Sequence, residues 1–158
     1  MVDDVLINKA ATIERCVMRA REESTGGKIA AAIKGCVMRA REEYDKSPAT
    51  FAADHTRQDA AILNVQRACE AALDMGQHLI RRERLGIPQS SRDVFTLLAQ
   101  AGWIEAVLAE RLQKMVGFRN IAVHDYQALQ LPIVEAVITK HLGDFTSYSK
   151  ALLLKDAS

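Results

Sequence analysis

The chain has 158 residues, 49% of them apolar and 26% charged, with a formal net charge of +1. That is the length of one domain with enough apolar mass for a core, and the balanced charge excludes a broad electrostatic binder of nucleic acid while leaving room for a local basic site. No apolar run reaches the length of a membrane span, acids (Asp3, Asp4) stand where a secretory leader carries cations, and Cys16, Cys36 and Cys69 show no metal spacing, so reduced core thiols in a cytoplasmic protein are expected.

Aromatic residues make up only 5% and prolines number three, while Ala, Leu, Arg, Glu and Gln are plentiful; helices are therefore favoured over strands. The first amphipathic segment is 3–23, with Leu6, Ala10, Ile13, Val17 and Ala20 at helical spacing and Asp3 or Asp4 as its cap. The octapeptide Cys16 to Glu23 then returns unchanged as Cys36 to Glu43, and Ala10, Ala11 and Ile13 reappear as Ala30, Ala31 and Ile33. This is a tandem duplication of 20 residues, read as an insertion at about 24–43, and too short for a solenoid. Twenty residues turn a straight helix by about 2000°, leaving about 200° after whole turns. One continuous helix would thus aim the copies at nearly opposite faces. Gly26-Gly27 favours a turn, so two helices are expected, about 3–23 and 28–45, competing for one packing slot. Three outcomes stay open: the second copy fills the slot, the first fills it, or the spare copy is swapped onto a partner subunit.

Lys46-Ser47-Pro48 ends that helix, and 49–55 is a short connector. A long helix over 57–84 buries Ala61, Val65, Ala68, Ala72, Met75 and Leu79. Gly86 and Pro88 stop it. Ser91 caps a helix over 92–101, which Gly102 breaks. The next runs from 103 to about 118 through Ile104, Val107, Leu108, Leu112 and Met115. Leu131-Pro132 opens the last, 132–154, with Val134, Val137, Ile138, Leu142 and Phe145 inward. The whole is one all-α domain over 1–158, an up-and-down helical bundle.

Between the last two helices lies the densest chemistry. Arg119 offers a planar, permanently charged fork for a phosphate, His124 exchanges protons near neutral pH, and Asn120 and Tyr126 add polar groups. A fixed cation beside a proton shuttle suits phosphodiester cleavage without a metal. Arg119 and His124 are five residues apart, about 140° around a helix, so the motif should sit at a helix irregularity or converge with a second subunit. Arg119 and Tyr126, seven apart, share a face. His55, His78 and His141 have no ligand spacing and read as surface or bundle residues. Arg81, Arg82 and Arg84 form a charged helix end, with an RNA-phosphate contact as the functional alternative. No glycine-rich phosphate loop, zinc pattern or nucleophile elbow is present.

Arg119-Asn120, then His124, then Tyr126 resembles the motif of the HEPN superfamily and, within it, the HepT toxins. The segment 59–71 resembles the second helix of that family, and Leu85-Gly86-Ile87-Pro88-Gln89-Ser90-Ser91-Arg92-Asp93 with Phe95-Thr96-Leu97-Leu98 its connector. The resemblance spans roughly 1–23 and 44–158; the duplication departs from it. It implies a metal-independent endoribonuclease toxin of a type VII-like HEPN/MNT toxin–antitoxin pair, acting as a homodimer. Arg119 and His124 of both subunits would line one cleft, with Asn120 in support and RNA, tRNA among the targets, as substrate. It further implies that Tyr126 is adenylylated by a minimal nucleotidyltransferase antitoxin of the MntA type. ATP and magnesium then belong to the partner, and this chain needs no cofactor. The rival reading is a non-catalytic helical dimerisation or interaction module.

Overall fold

The computed structural model describes residues 25–157. The expected helix over 3–23, and with it Cys16, lies outside them. The described chain forms α1 (Thr25–Asp45), α2 (His55–Glu83), α3 (Ser91–Gln100), α4 (Ala106–His124), α5 (Leu131–Ala136) and α6 (Leu142–Asp156). Short 3-10 turns fill Pro48–Ala53 and Tyr126–Ala128, and a π turn over Val137–His141 joins α5 to α6. The fold is the all-α, up-and-down bundle expected. Among the described residues no helix is long and apolar enough to cross a membrane.

The expected break at Gly26-Gly27 is absent: both glycines are helical, and Gly27 is buried. Glycine permits a turn but does not impose one, and its helix penalty is only about 1 kcal/mol. Here α1 runs past α6 so closely that a Cβ on Gly26 would already touch the Leu153 side chain at 3.9 Å. Of the two copies, the second is in the bundle. Ile33, Cys36 and Ala40 are buried, and most of the segment read as inserted belongs to α1. Arg41, from the repeated octapeptide, donates from Nη1 to the Ile138 carbonyl at 3.3 Å, where the π turn loosens the regular ladder.

Arg57 fastens the end of α1 to the start of α2. Its guanidinium donates to the carbonyls of Glu43 (2.8 Å) and Tyr44 (3.2 Å), groups that a helix end leaves without partners, and to the Ser47 carbonyl just beyond the helix (2.9 Å). Asp54 caps α2 by accepting from the Arg57 backbone N–H. All six residues expected on the inner face of α2 are buried. Gly76 marks the tightest point, since a Cβ there would lie 2.6 Å from Val94 and 2.7 Å from the Tyr148 hydroxyl. That hydroxyl, wholly buried, donates to the Ala72 carbonyl at 2.7 Å.

α2 ends through Arg84, whose φ of 54° is left-handed, and Gly86. Ser90, one residue before the expected Ser91, caps α3 by accepting from the Asp93 N–H, and Asp93 accepts in return from the Gln89 N–H. Gly102, at φ 79°, closes α3. The chain needs 103–105 to turn, so α4 starts at Ala106 rather than 103 and leaves Val107 on the surface, while Ile104 is buried from the connector. No breaker follows, and α4 runs six residues beyond the expected end, to His124. The five inward residues expected of the last helix are all buried.

Candidate functional site

Arg119, Asn120 and His124 lie on the last two turns of α4, which stays regular until it ends at His124. Asp125 leaves the helical region (φ −149°, ψ 59°) and the 3-10 turn carries Tyr126 away from the helix axis. The motif therefore straddles a helix end, and Arg119 and Tyr126 do not share a helix face as expected.

Arg119 points inward and is half-buried. Its Nη2 donates to the Ser91 hydroxyl at 3.2 Å, which anchors it to the first turn of α3. Its Nε is buried and makes no hydrogen bond among the described residues. The guanidinium also lies within electrostatic reach of Cys69 on α2. Burial nevertheless wins there: the Cys69 thiol is pushed up to about 12, Arg119 opposing the rise and Glu70 adding to it, so the sulfur stays neutral. α3 and α4 are held in register beside Arg119 by Gln113, whose amide donates to the Arg92 carbonyl at 3.0 Å and to Thr96 Oγ1 at 2.7 Å.

Asn120 and His124 point outward, four residues apart on one face, and both are exposed. Neither side chain is hydrogen-bonded among the described residues, so the imidazole is open to an incoming group. Nothing within the described chain joins His124 to Arg119; one presents a proton carrier to solvent, the other is a half-buried cation tied to Ser91. Tyr126 is 42% exposed. Its hydroxyl donates to Asp59 of α2, and burial first, then that carboxylate, pushes its ionisation up to about 12. Asp59 and Ser91 are the two residues near the motif that sequence reasoning assigned no role in it.

Beside the motif a groove of about 460 Å³ separates α4 from the α5 segment, walled by Met115, Phe118, Ile121, Leu129 and Ile133. In its wall Ile121 and Ile133 remain 42% and 50% exposed, and Val123, two residues after Ile121 on α4, is 45% exposed. Among the described residues no three His, Cys, Asp or Glu side chains gather as a metal site requires. His55, His78 and His141 are scattered as expected, the last 3.9 Å from Asp144.

Fold and site together define an all-α bundle with an Arg-Asn pair, an open His and a tethered Tyr at the end of one helix. The chain belongs to the HepT-like ribonuclease family, whose model matches residues 33–152. It is 46% identical over 147 residues, 93% of this chain and 95% of the relative, to the mRNA nuclease HepT of Shewanella oneidensis. Solved structures are similar as well, two of them as follows. A tri-AMPylated Shewanella oneidensis HEPN toxin in complex with its MNT antitoxin shares 49% identity at a TM-score of 0.76, covering 82% of this chain and 95% of that one. A toxin–antitoxin structure with AMP-PNP shares 48% identity at a TM-score of 0.76, covering 82% and 96%.

Proposed function

We propose that the chain is a metal-independent endoribonuclease toxin that works as a homodimer in the cytoplasm, with Arg119 and His124 of both subunits in one cleft. The observation that carries this reading is an open, unbonded His124 five residues along the same helix from an Arg119 anchored by Ser91. Arg119 has most of its fork uncommitted and binds the scissile phosphate, offsetting the charge that builds up as phosphorus becomes five-coordinate. His124 of one subunit takes the proton of the ribose 2′-hydroxyl, whose oxygen attacks phosphorus. His124 of the other gives a proton to the departing 5′-oxygen, leaving a cyclic phosphate. One imidazole cannot hold both protonation states at once, so two subunits answer a chemical need. Asn120, on the same face as His124, steadies the ribose or phosphate. The exposed Ile121, Val123 and Ile133 supply apolar surface beside the site for the second subunit to bury.

We further infer that a minimal nucleotidyltransferase antitoxin of the MntA type silences the toxin by transferring AMP to Tyr126, using ATP and magnesium that it binds itself. The exposure of Tyr126 beside the motif supports this, as does the AMPylated state of the similar toxin. An adenylate there brings bulk and negative charge where RNA must approach Arg119. The test compares wild type, Arg119→Ala and His124→Ala for growth arrest and for cleavage of mRNA and tRNA, with mass measured by sedimentation. Each variant should lose about 10²–10⁴-fold in cleavage while staying dimeric. Undiminished cleavage by His124→Ala sinks the mechanism. A wild-type chain that dimerises and cuts nothing marks an interaction module.

A further inference from the structure

Tyr126 and Asp59 stand 67 residues apart in the chain, yet the phenolic hydroxyl donates its hydrogen bond to the Asp59 carboxylate. Asp59 is well placed to keep that position. It lies near the start of α2, whose first turn is capped by Asp54 and gripped through Arg57. Tyr126 comes to it on the turn that follows α4. Among the described residues Asp59 is the charged side chain that acts on this hydroxyl. Neither Asp125 nor His124 on the tyrosine's own segment, nor His55 one turn before Asp59, bonds to either group.

Joining AMP to a phenol requires the phenolic proton to leave as the oxygen reaches phosphorus. At neutral pH an ordinary tyrosine is almost wholly protonated, and burial beside a carboxylate makes Tyr126 harder still to ionise. Free phenolate is therefore too scarce to be the nucleophile, and a group already holding the proton has the advantage. We propose that Asp59 is the general base for adenylylation of Tyr126, so that the chain being modified supplies its own proton acceptor. This rests on the reading of Tyr126 as the modified residue.

The step balances. A bond forms between the Tyr126 oxygen and the α-phosphorus of ATP. The bond from that phosphorus to the oxygen bridging to the β-phosphate breaks, and pyrophosphate leaves with the electron pair. The proton passes to Asp59 and then to solvent. A carboxylate is a weak base, but the phenol grows strongly acidic as its oxygen bonds to phosphorus. An aspartate accepts the substrate hydroxyl proton in protein kinases on the same logic. Once the ester has formed, the oxygen has no proton to donate, and the tie to Asp59 is gone.

The experiment mixes the purified chain with a minimal nucleotidyltransferase, ATP and magnesium, and follows AMP incorporation by intact mass under single-turnover conditions. Circular dichroism checks that each variant is folded. Asp59→Asn keeps a hydrogen-bond acceptor but cannot take the proton. It should be labelled about 10²–10³-fold more slowly near neutral pH, with a rate that climbs more steeply with pH than wild type, and Asp59→Glu should recover part of the loss. Labelling of Asp59→Asn at the wild-type rate and pH profile overturns the proposal while leaving Tyr126 as the site. An equal loss at every pH assigns Asp59 a docking role only and overturns it too. If Tyr126→Phe takes up as much AMP as wild type, the reading of Tyr126 falls, and the base falls with it.

Discussion

Arg119 and Ser91 are joined across two helices by a 3.2 Å hydrogen bond from the guanidinium to the hydroxyl. This contact sets the direction of the cation that the proposed chemistry aims at phosphate. Removing it frees a long side chain to sample other rotamers, at a loss of about 1 kcal/mol in net hydrogen bonding. Ser91→Ala is therefore expected to lower kcat/KM for RNA cleavage by about 3–10-fold with little change in melting temperature, and Ser91→Thr to restore most of it. Cleavage kinetics beside a thermal melt decide the matter; an unchanged kcat/KM would show that Arg119 needs no such anchor.

Gly76 and Tyr148 define the junction of α2, α3 and α6. With Val94 and the Tyr148 hydroxyl both closer than 3.0 Å to where a Cβ would stand, Gly76→Ala forces helices apart. The expected destabilisation is about 1–3 kcal/mol, despite alanine's better helix propensity. Tyr148→Phe should cost about 1 kcal/mol. Chemical denaturation of the two variants gives both values. A more stable Gly76→Ala would contradict the packing.

Alkaline stability follows from three raised groups. Cys69 rises from 9.0 to about 12, and Tyr126 from 10.0 to about 12, with Tyr148 raised as well by burial. The sign is fixed by linkage. Each keeps its proton longer in the fold than in the open chain, so its contribution is whole below the unfolded value and disappears as pH climbs to the folded one. Unfolding free energy is thus expected to decline from about pH 9, through Cys69 first, and to go on falling toward pH 12. Cys69→Ala should delay the onset of the decline by about one pH unit, to where the tyrosines begin. Urea titrations between pH 7 and 11 test this; a flat profile over that range would refute it.

The slot filled by α1 makes the repeated segments unequal. Ile33→Ala empties a wholly buried position and is expected to cost about 2–5 kcal/mol. A chain beginning at Thr25 should still fold, because the core described here is closed by α1. Melting curves of the two proteins provide the check. A truncated chain that does not fold would mean the core needs the first copy.

How much of this was legible beforehand depends on the range of each interaction. The inner faces of α2 and of the last helical stretch could be read off because burial repeats with the helical period, and all eleven residues assigned to them are buried. Gly26-Gly27 misled, since two glycines state what the backbone can do and not what it does once α1 is packed beside α6. Val107 misled for a related reason: its spacing fitted, but the helix begins too late to turn it inward. At the site, Arg119, Asn120, His124 and Tyr126 could be picked out because they fall within eight residues of one another in the chain. Ser91 and Asp59, 28 and 67 residues away from their partners, could not, for no periodicity links them. The phase of Tyr126 was lost because nothing local announces that α4 stops at His124.

Arg57 has one more implication. It clasps the carbonyl end of the duplicated helix, and two residues later the same turn of chain presents Asp59 to Tyr126. The second copy, drawn into the bundle, therefore offers its tail to that clasp. An exchange of copies would tug on that clasp and so on the tyrosine's tether. Anyone trimming or re-registering the N-terminal repeat to improve expression is, without touching the motif, also adjusting the tie between Asp59 and Tyr126.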